Sequence, residues 1–210
     1  MEIVRLVETI EAIIFDFGGV ISHPQDEKTR QLMSDLLNIN HAEFIASYFE
    51  HRHPYDTGLL TGHQYWTRIC TDHAIDIKTA DILKLIELDV KGWTDINREM
   101  LAYILLLQNS TIKTAVLSNM TFDILNHIQA TYPWINDFNT SIFSCEHQIT
   151  KPDKRLYKIC IKALQVDPAN CLFIDDTKQN VVAALELGIQ AIQFLNESDF
   201  SQKIVIQCQF

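Results

Sequence analysis

Asp16 closes the apolar run 12–15 and is followed at once by Phe17, Gly18 and Gly19. A second apolar run, 171–174, ends in two adjacent acids, Asp175 and Asp176. A third, "KTAVL", ends in Ser118 and Asn119, and Lys151 stands before Pro152 in "TKPDKRLY". Three carboxylates brought within reach of one another repel and raise their own pKa values. Lys151 offsets one of those charges, and a divalent cation would offset two more. Carboxylate oxygens unaccompanied by His or Cys suit Mg²⁺, a hard ion that keeps several waters and often sits beside phosphate. With the charge balanced, Asp16 stays ionised and can act as a nucleophile. Ser118, Lys151 and loop N–H groups can hold phosphoryl oxygens. Gly18 and Gly19 let the main chain approach metal and phosphate closely.

Taken singly, each piece has an ordinary structural explanation. A strand-ending Asp is often a turn or cap residue, Ser118-Asn119 reads as a turn, and Asp176-Thr177 can cap the helix that follows. What unites them is where the surrounding elements put them. The runs 11–16, "KTAVLSN", "SIFS", "CLFID" and "IQAIQFL" read as strands. The segments between the later ones, "INREMLAYILLLQ", "TFDILNHIQATY", "KPDKRLYKICIKALQV" and "TKQNVVAALEL", have helical spacing, with Pro152 expected in the first turn of the third. Strand and helix in alternation imply an α/β fold, a doubly wound parallel sheet of Rossmann-like type. In such a sheet, ligands bind at the carboxyl ends of the strands, where all these polar residues fall.

Residues 26 to 91 break the alternation. Four helical patterns follow one another there with no strand, separated by "NIN", "HPYDTGLLTG" and "IDIK", which read as turns. We read this block as an all-helical domain inserted into the α/β domain, with 23–92 as the insert and 1–22 plus 93–210 as the core. Residues 1–9 admit either an added strand or a helical turn.

Asp16 in "FDFGGV", Ser118 in "LSN", Lys151 in "KP" and Asp175-Asp176 in "FIDD" resemble the four motifs of the haloacid dehalogenase (HAD) superfamily. The resemblance is strongest to the branch of sugar-1-phosphate phosphatases and the N-terminal phosphatase domain of epoxide hydrolases, and the insert sits where that family keeps its cap. It implies Mg²⁺-dependent hydrolysis of a small phosphorylated metabolite, a sugar phosphate among the possibilities, through an aspartyl-phosphate. Asp16 and Lys151 would be catalytic. Ser118, Asn119, Lys151 and Gly19 would contact substrate. Asp16, the Gly18 carbonyl and Asp176 would ligate the metal, with Asp175 holding a metal-bound water.

The departure is at Gly18. Phosphatases of this superfamily usually carry a second Asp two residues after the nucleophile, which protonates the leaving oxygen and later activates water. Glycine does neither. The leaving oxygen must then depart unprotonated or take its proton from water or from another group; if another residue supplies it, the acidic and imidazole side chains of the cap and His23 are the candidates. Two alternatives follow: a 2-haloacid dehalogenase, which expels halide without a proton, and a phosphate-binding regulatory protein that retains the site without turnover. A response-regulator receiver uses similar residues, but there the acid pair precedes the phosphorylated Asp.

The rest of the composition sets limits. A net charge of −10 on 210 residues disfavours general nucleic-acid binding. The five cysteines include no CxxC and read as reduced core residues. No apolar run approaches the ~20 residues of a membrane span, and the acidic N-terminus lacks a signal-peptide pattern. A cytoplasmic protein is expected. His51 and His53, two residues apart, read as structural or solvated rather than as a metal clip, and Asn180 is expected to support Asp176. Arg52, Tyr55 and Asp56 are placed by their position in the insert to reach the pocket.

Overall fold

The computed structural model describes residues 10–76 and 78–196. The expectations for residues 1–9 and for the chain after Asn196 lie outside them.

Five parallel strands form one sheet: β1 (Ala12–Phe15), β2 (Lys113–Ser118), β3 (Thr140–Phe143), β4 (Cys171–Asp175) and β5 (Gln190–Gln193). Their order is β3-β2-β1-β4-β5, so the chain winds outward first on one side of β1 and then on the other. Successive residues of a strand point to opposite faces, and both faces of this sheet are buried. Ile13 and Phe15 of β1, with Val116, Leu172 and Ile174, enter one core; Ala12, Ile14, Leu117 and Phe173 enter the other. Burial on both sides is why the three central strands, β1, β2 and β4, carry unbroken apolar runs, whereas the edge strands β3 and β5 are half-buried and carry polar residues.

Two pairs of helices cover the faces. On the first lie α6 (Arg98–Gln108), through Met100, Ile104 and Leu107, and α7 (Phe122–Thr131), through Ile124, Leu125 and Ile128. On the second lie α9 (Lys154–Leu164), through Leu156, Tyr157 and Cys160, and α10 (Lys178–Leu185), through Ala183 and Ala184. Pro152 does not enter α9. Asp153 caps that helix by accepting from the Arg155 N–H at 2.9 Å, so the helix starts at Lys154 and Pro152 stays in the turn that carries Lys151.

Between β1 and β2 stand α1 (Glu27–Leu37), α2 (His41–Glu50), α3 (Arg52–Asp56), α4 (Gly62–Asp72) and α5 (Thr79–Trp93). Met33, Phe44, Tyr48, Tyr65, Trp66, Ile69 and Leu85 give this block a core of its own. The helix α3 falls inside a segment whose sequence reads as a turn. At five residues, with a proline, it is too short to show a helical period. The short α8 (Ser144–His147), directly after β3, was not foreseen either.

The chain leaves and re-enters the sheet layer side by side. The His23 N–H donates to the Asp95 carbonyl at 2.7 Å and the Asn97 N–H to the Ile21 carbonyl at 2.9 Å, with Ser22 and Ile96 paired as an antiparallel bridge.

Candidate active site

Asp16 follows β1, Ser118 ends β2 and Asp175 ends β4, so three neighbouring strands deliver three polar side chains to one edge of the sheet. This edge is where the strand order reverses, the usual crevice of an open α/β sheet. Lys151 reaches it from the turn before α9. Its Nζ lies 2.8 Å from Asp16 Oδ2 and 2.6 Å from Asp175 Oδ2, and the side chain is wholly buried. Two carboxylates outweigh the desolvation of the amine and hold the Lys151 pKa above its ordinary value. Burial pushes Asp16 up to about 8; Lys151 opposes that rise, and Asp175 and Asp176 add to it.

The adjacent acids of β4 play different parts. Asp175 is fully buried and spent on protein donors: Lys151 on Oδ2, the Thr177 N–H on Oδ1 at 2.8 Å, and Asn180 Nδ2 on both oxygens at 3.0 and 3.1 Å. The expected support of Asp176 by Asn180 therefore goes to Asp175 instead, because the buried carboxylate is the one in need of donors. Asp176 turns outward and accepts from Thr177 Oγ1 at 3.1 Å. Burial and the neighbouring Asp175 raise its carboxyl too. Carboxylate oxygens of Asp16, Asp175 and Asp176 lie within 4.8 Å of one another, a donor set of hard oxygens that fits a divalent cation such as Mg²⁺.

Gly19 has φ +78°, and a Cβ there would stand 2.4 Å from Asp176 Oδ2. Only glycine lets the loop turn and lets Asp176 rest against it. Asn119 lines the cavity, but its side chain clamps the lysine turn: Nδ2 donates to the Lys151 carbonyl at 3.0 Å, and Oδ1 accepts from the Lys151 N–H at 2.7 Å. Among the described residues the Ser118 hydroxyl makes one long contact, 3.4 Å to the Asn119 carbonyl, which leaves it available to a ligand.

These groups open on a cavity of about 260 Å³ whose lining includes Asp16, Gly18, Ser118, Lys151 and Asp176 from the core and Phe49, Arg52, Asp56 and Trp93 from the helical block. At ~30 Å³ per water in the liquid, that is room for a phosphoryl group and a small leaving group. A larger cleft of about 740 Å³ runs between α5 and α7, past Leu83, Ile86 and His127, but none of the strand-end carboxylates lines it.

The roof of the cavity is a buried ionic cluster, of which the sequence marked Arg52, Tyr55 and Asp56. Arg52 Nε donates to Asp56 Oδ1 at 2.9 Å and Nη1 to Asp89 Oδ2 at 2.9 Å and Tyr48 Oη at 2.8 Å. Its guanidinium lies over the rings of Tyr48, Tyr55 and Trp93. Asp89, wholly buried, also accepts from Gln25 and Tyr48. Three contacts tie α3 and the loop after it to the core. Tyr55 Oη donates to Asp123 at 2.7 Å, Ser144 Oγ donates to the Asp56 carbonyl at 2.5 Å, and Gly58 packs so tightly that a Cβ would be 2.5 Å from Phe122. His51 and His53 make no metal pair: the first bonds Asp72 and the second meets Thr150. Cys70, Cys145, Cys160 and Cys171 are buried and free, as expected of core thiols. Among the described residues no helix is long and apolar enough to cross a membrane.

A family model described as haloacid dehalogenase-like hydrolase matches residues 10–188. Two curated proteins are similar over short stretches. Acyl-CoA dehydrogenase family member 10 of Mus musculus is 30% identical over 86 residues, which is 39% of this chain and 8% of that protein. Flavin mononucleotide hydrolase 1 of Arabidopsis thaliana is 34% identical over 61 residues, 29% of this chain and 25% of that one. The matched region thus spans a quarter or less of each curated relative. Among solved structures, a HAD family enzyme from Bacteroides thetaiotaomicron superposes with TM-score 0.79 at 20% identity, covering 92% of this chain and 98% of that one. That enzyme has also been solved in complex with magnesium and inorganic phosphate. L-2-haloacid dehalogenase from Xanthobacter autotrophicus superposes with TM-score 0.62 at 18% identity, covering 92% and 81%.

Proposed function

The chain belongs to the haloacid dehalogenase-like hydrolase family, and from that premise we propose that it is a Mg²⁺-dependent phosphatase of a small phosphorylated metabolite, with sugar phosphates among the candidate substrates. The observation that carries the reading is Lys151 Nζ set between Asp16 and Asp175 at 2.8 and 2.6 Å, beside an uncommitted Ser118 hydroxyl and the outward carboxylate of Asp176. The nucleophile, the lysine and the hydroxyl would serve a haloacid carboxylate as well as a phosphoryl group; the outward Asp176 carboxylate, free to hold a cation, is the part that a halide-releasing site does not need. In this reading an Asp16 oxygen attacks phosphorus, Ser118 and Lys151 hold phosphoryl oxygens, and Asn119 positions Lys151. Asp16, the Gly18 carbonyl and Asp176 would hold Mg²⁺ directly, and Asp175, its oxygens already engaged, through water. The bound cation supplies charge neutralisation for the phosphoryl oxygens.

In this reading the inserted block, residues 23–92 extended by the last residue of α5, Trp93, acts as the cap that closes the cavity over the α/β core. Buried free thiols fit a reducing cytoplasm. The presence of inorganic phosphate and magnesium in a structural neighbour, and flavin mononucleotide hydrolysis in the name of a short-range relative, support phosphate chemistry.

The test is phosphate release across a panel of phosphorylated metabolites with and without Mg²⁺, with halide release from 2-haloacids measured in parallel. Asp16→Asn is expected to cut phosphate release on the order of 10⁴-fold or more while melting at a similar temperature, since the amide is nearly isosteric but not nucleophilic. Halide release independent of Mg²⁺, or near-normal phosphate release by Asp16→Asn, sinks the reading.

A further inference from the structure

Position 18 carries no side chain, so a protein group that protonates the leaving oxygen has to be some other residue facing the cavity. The lining offers few. Its ionisable residues are Asp16, Arg52, Asp56, Lys151 and Asp176, with no histidine and no cysteine. Asp16 is committed to attack and Asp176 to the cation. Lys151 is held charged between two carboxylates, and a guanidinium does not release its proton. Among the described residues, His23, Cys70, Cys145, Cys160, Cys171 and the cap histidines lie off the lining.

Asp56 remains, and its surroundings are built around it. It ends α3, and its Oδ1 accepts from Arg52 Nε at 2.9 Å. Among the described residues no donor reaches its Oδ2. Its main-chain carbonyl accepts from Ser144 Oγ at 2.5 Å, and Ser144 Oγ in turn accepts from the Met120 N–H at 2.8 Å. Asp56 is thereby fixed against the same loop that carries Ser118 and Asn119. Burial pushes its carboxyl above the usual carboxylate range. Arg52 and His53 on its own helix oppose that rise, and Asp89 of α5 adds to it.

We propose that Asp56 is the acid/base residue of this site, supplied by the helical block in place of the side chain that position 18 lacks. The proposal rests on the phosphatase reading above. As an Asp16 oxygen bonds to phosphorus, the bond from phosphorus to the leaving oxygen breaks, and that oxygen keeps the electron pair and takes the proton from Asp56. In the second half a water oxygen bonds to phosphorus and gives its proton to the Asp56 carboxylate. The bond from phosphorus to Asp16 breaks, releasing phosphate and restoring both side chains.

The experiment compares kcat/KM for p-nitrophenyl phosphate and for glycerol phosphate, with saturating Mg²⁺, in the wild-type protein and in Asp56→Asn. This parameter reports steps up to departure of the leaving group, so the later role of Asp56 with water does not enter it. Losing a general acid costs about 10²–10⁴-fold for a poor leaving group and little for an acidic one. Asp56→Asn is therefore expected to lose that factor on glycerol phosphate and less than about tenfold on p-nitrophenyl phosphate. Equal losses on both esters, or no loss on either, overturn the proposal. Should Asp56→Asn not fold, the wild-type protein decides with a series of esters of graded leaving-group acidity. A shallow dependence upholds an internal acid and a steep one overturns it. If the wild-type protein releases phosphate from no ester, the phosphatase reading itself fails, and this proposal with it.

Discussion

The indole of Trp93 lies over Gly18: a Cβ at that position would meet Trp93 Cε3 at 3.2 Å and Cζ3 at 3.3 Å. The ring is held in place, since Nε1 donates to Tyr48 Oη at 3.0 Å and Arg52 Cζ lies 5.8 Å from the ring centroid. Gly18 is not among the positive-φ glycines. The obstacle to a side chain at position 18 is therefore the helical block, not the backbone angles.

Gly18→Ala should accordingly destabilise the protein by about 1–3 kcal/mol, the usual cost of overpacking a filled site. In a Trp93→Leu background the same change should cost far less. A double-mutant cycle read by denaturant unfolding measures the coupling. Additive effects would show that the ring yields freely. By the same argument Gly18→Asp displaces Trp93 before it can supply an acid, and turnover should fall rather than rise.

Mg²⁺ should raise the melting temperature, and Asp176→Ala should remove most of the gain. A ligand present at 100 times its Kd stabilises the folded state by about 2.7 kcal/mol. For a chain of this size that is about 5–10 °C. Thermal melts with increasing Mg²⁺ check this, and a curve indifferent to millimolar Mg²⁺ would rule out the cation site.

The Mg²⁺ gain should also grow with pH. Asp16 is pushed from its ordinary 3.8 to about 8. Between those values the folded, metal-free protein binds more protons than the unfolded chain, so this group's contribution to stability is present at low pH and lost as pH rises through about 8. A cation displaces that proton and relieves the repulsion. The shift in melting temperature should be larger at about pH 9 than at about pH 6, because proton and cation compete for one carboxylate below the raised pKa. Equal shifts at both would place the cation away from Asp16.

Lys151→Met should be among the costliest single changes. It leaves Asp16 and Asp175 facing each other without their shared cation, and breaking a buried ion pair from one side costs about 3–5 kcal/mol. Lowering the pH should recover part of the loss, since a protonated Asp16 removes the repulsion. Unfolding by denaturant at two pH values measures both effects.

The strand ends were legible because a sheet buried on both faces leaves continuous apolar runs, and each run stops at the residue that meets solvent or ligand. Asp16, Ser118 and Asp175 could be read that way, and Lys151 by its place before Pro152. The convergence of Arg52, Asp56, Tyr48, Asp89 and Trp93 could not. Those residues sit on three different helices, and only the packing of aromatic rings in the block's own core brings them together. Local pattern was equally silent on the helix α3, one and a half turns long, and on which acid Asn180 would serve. Burial decides that last point, and burial is a property of the finished fold.

The single bridge between Ser22 and Ile96, with the main-chain hydrogen bonds beside it, makes the excursion between β1 and β2 a module. The sheet layer presents two neighbouring chain ends to whatever joins them, and its register depends on neither the length nor the shape of the connection. Doubling such a connection adds only about 0.6 kcal/mol of closure entropy. An insert of another size, or with another set of side chains over the cavity, can therefore be exchanged without moving Asp16, Ser118, Lys151 or Asp176. In the proposed reading the nucleophile and the groups that hold phosphate and cation are inherited with the sheet, whereas the acid/base Asp56 and selectivity travel with the insert, and the two sets are free to evolve at different rates.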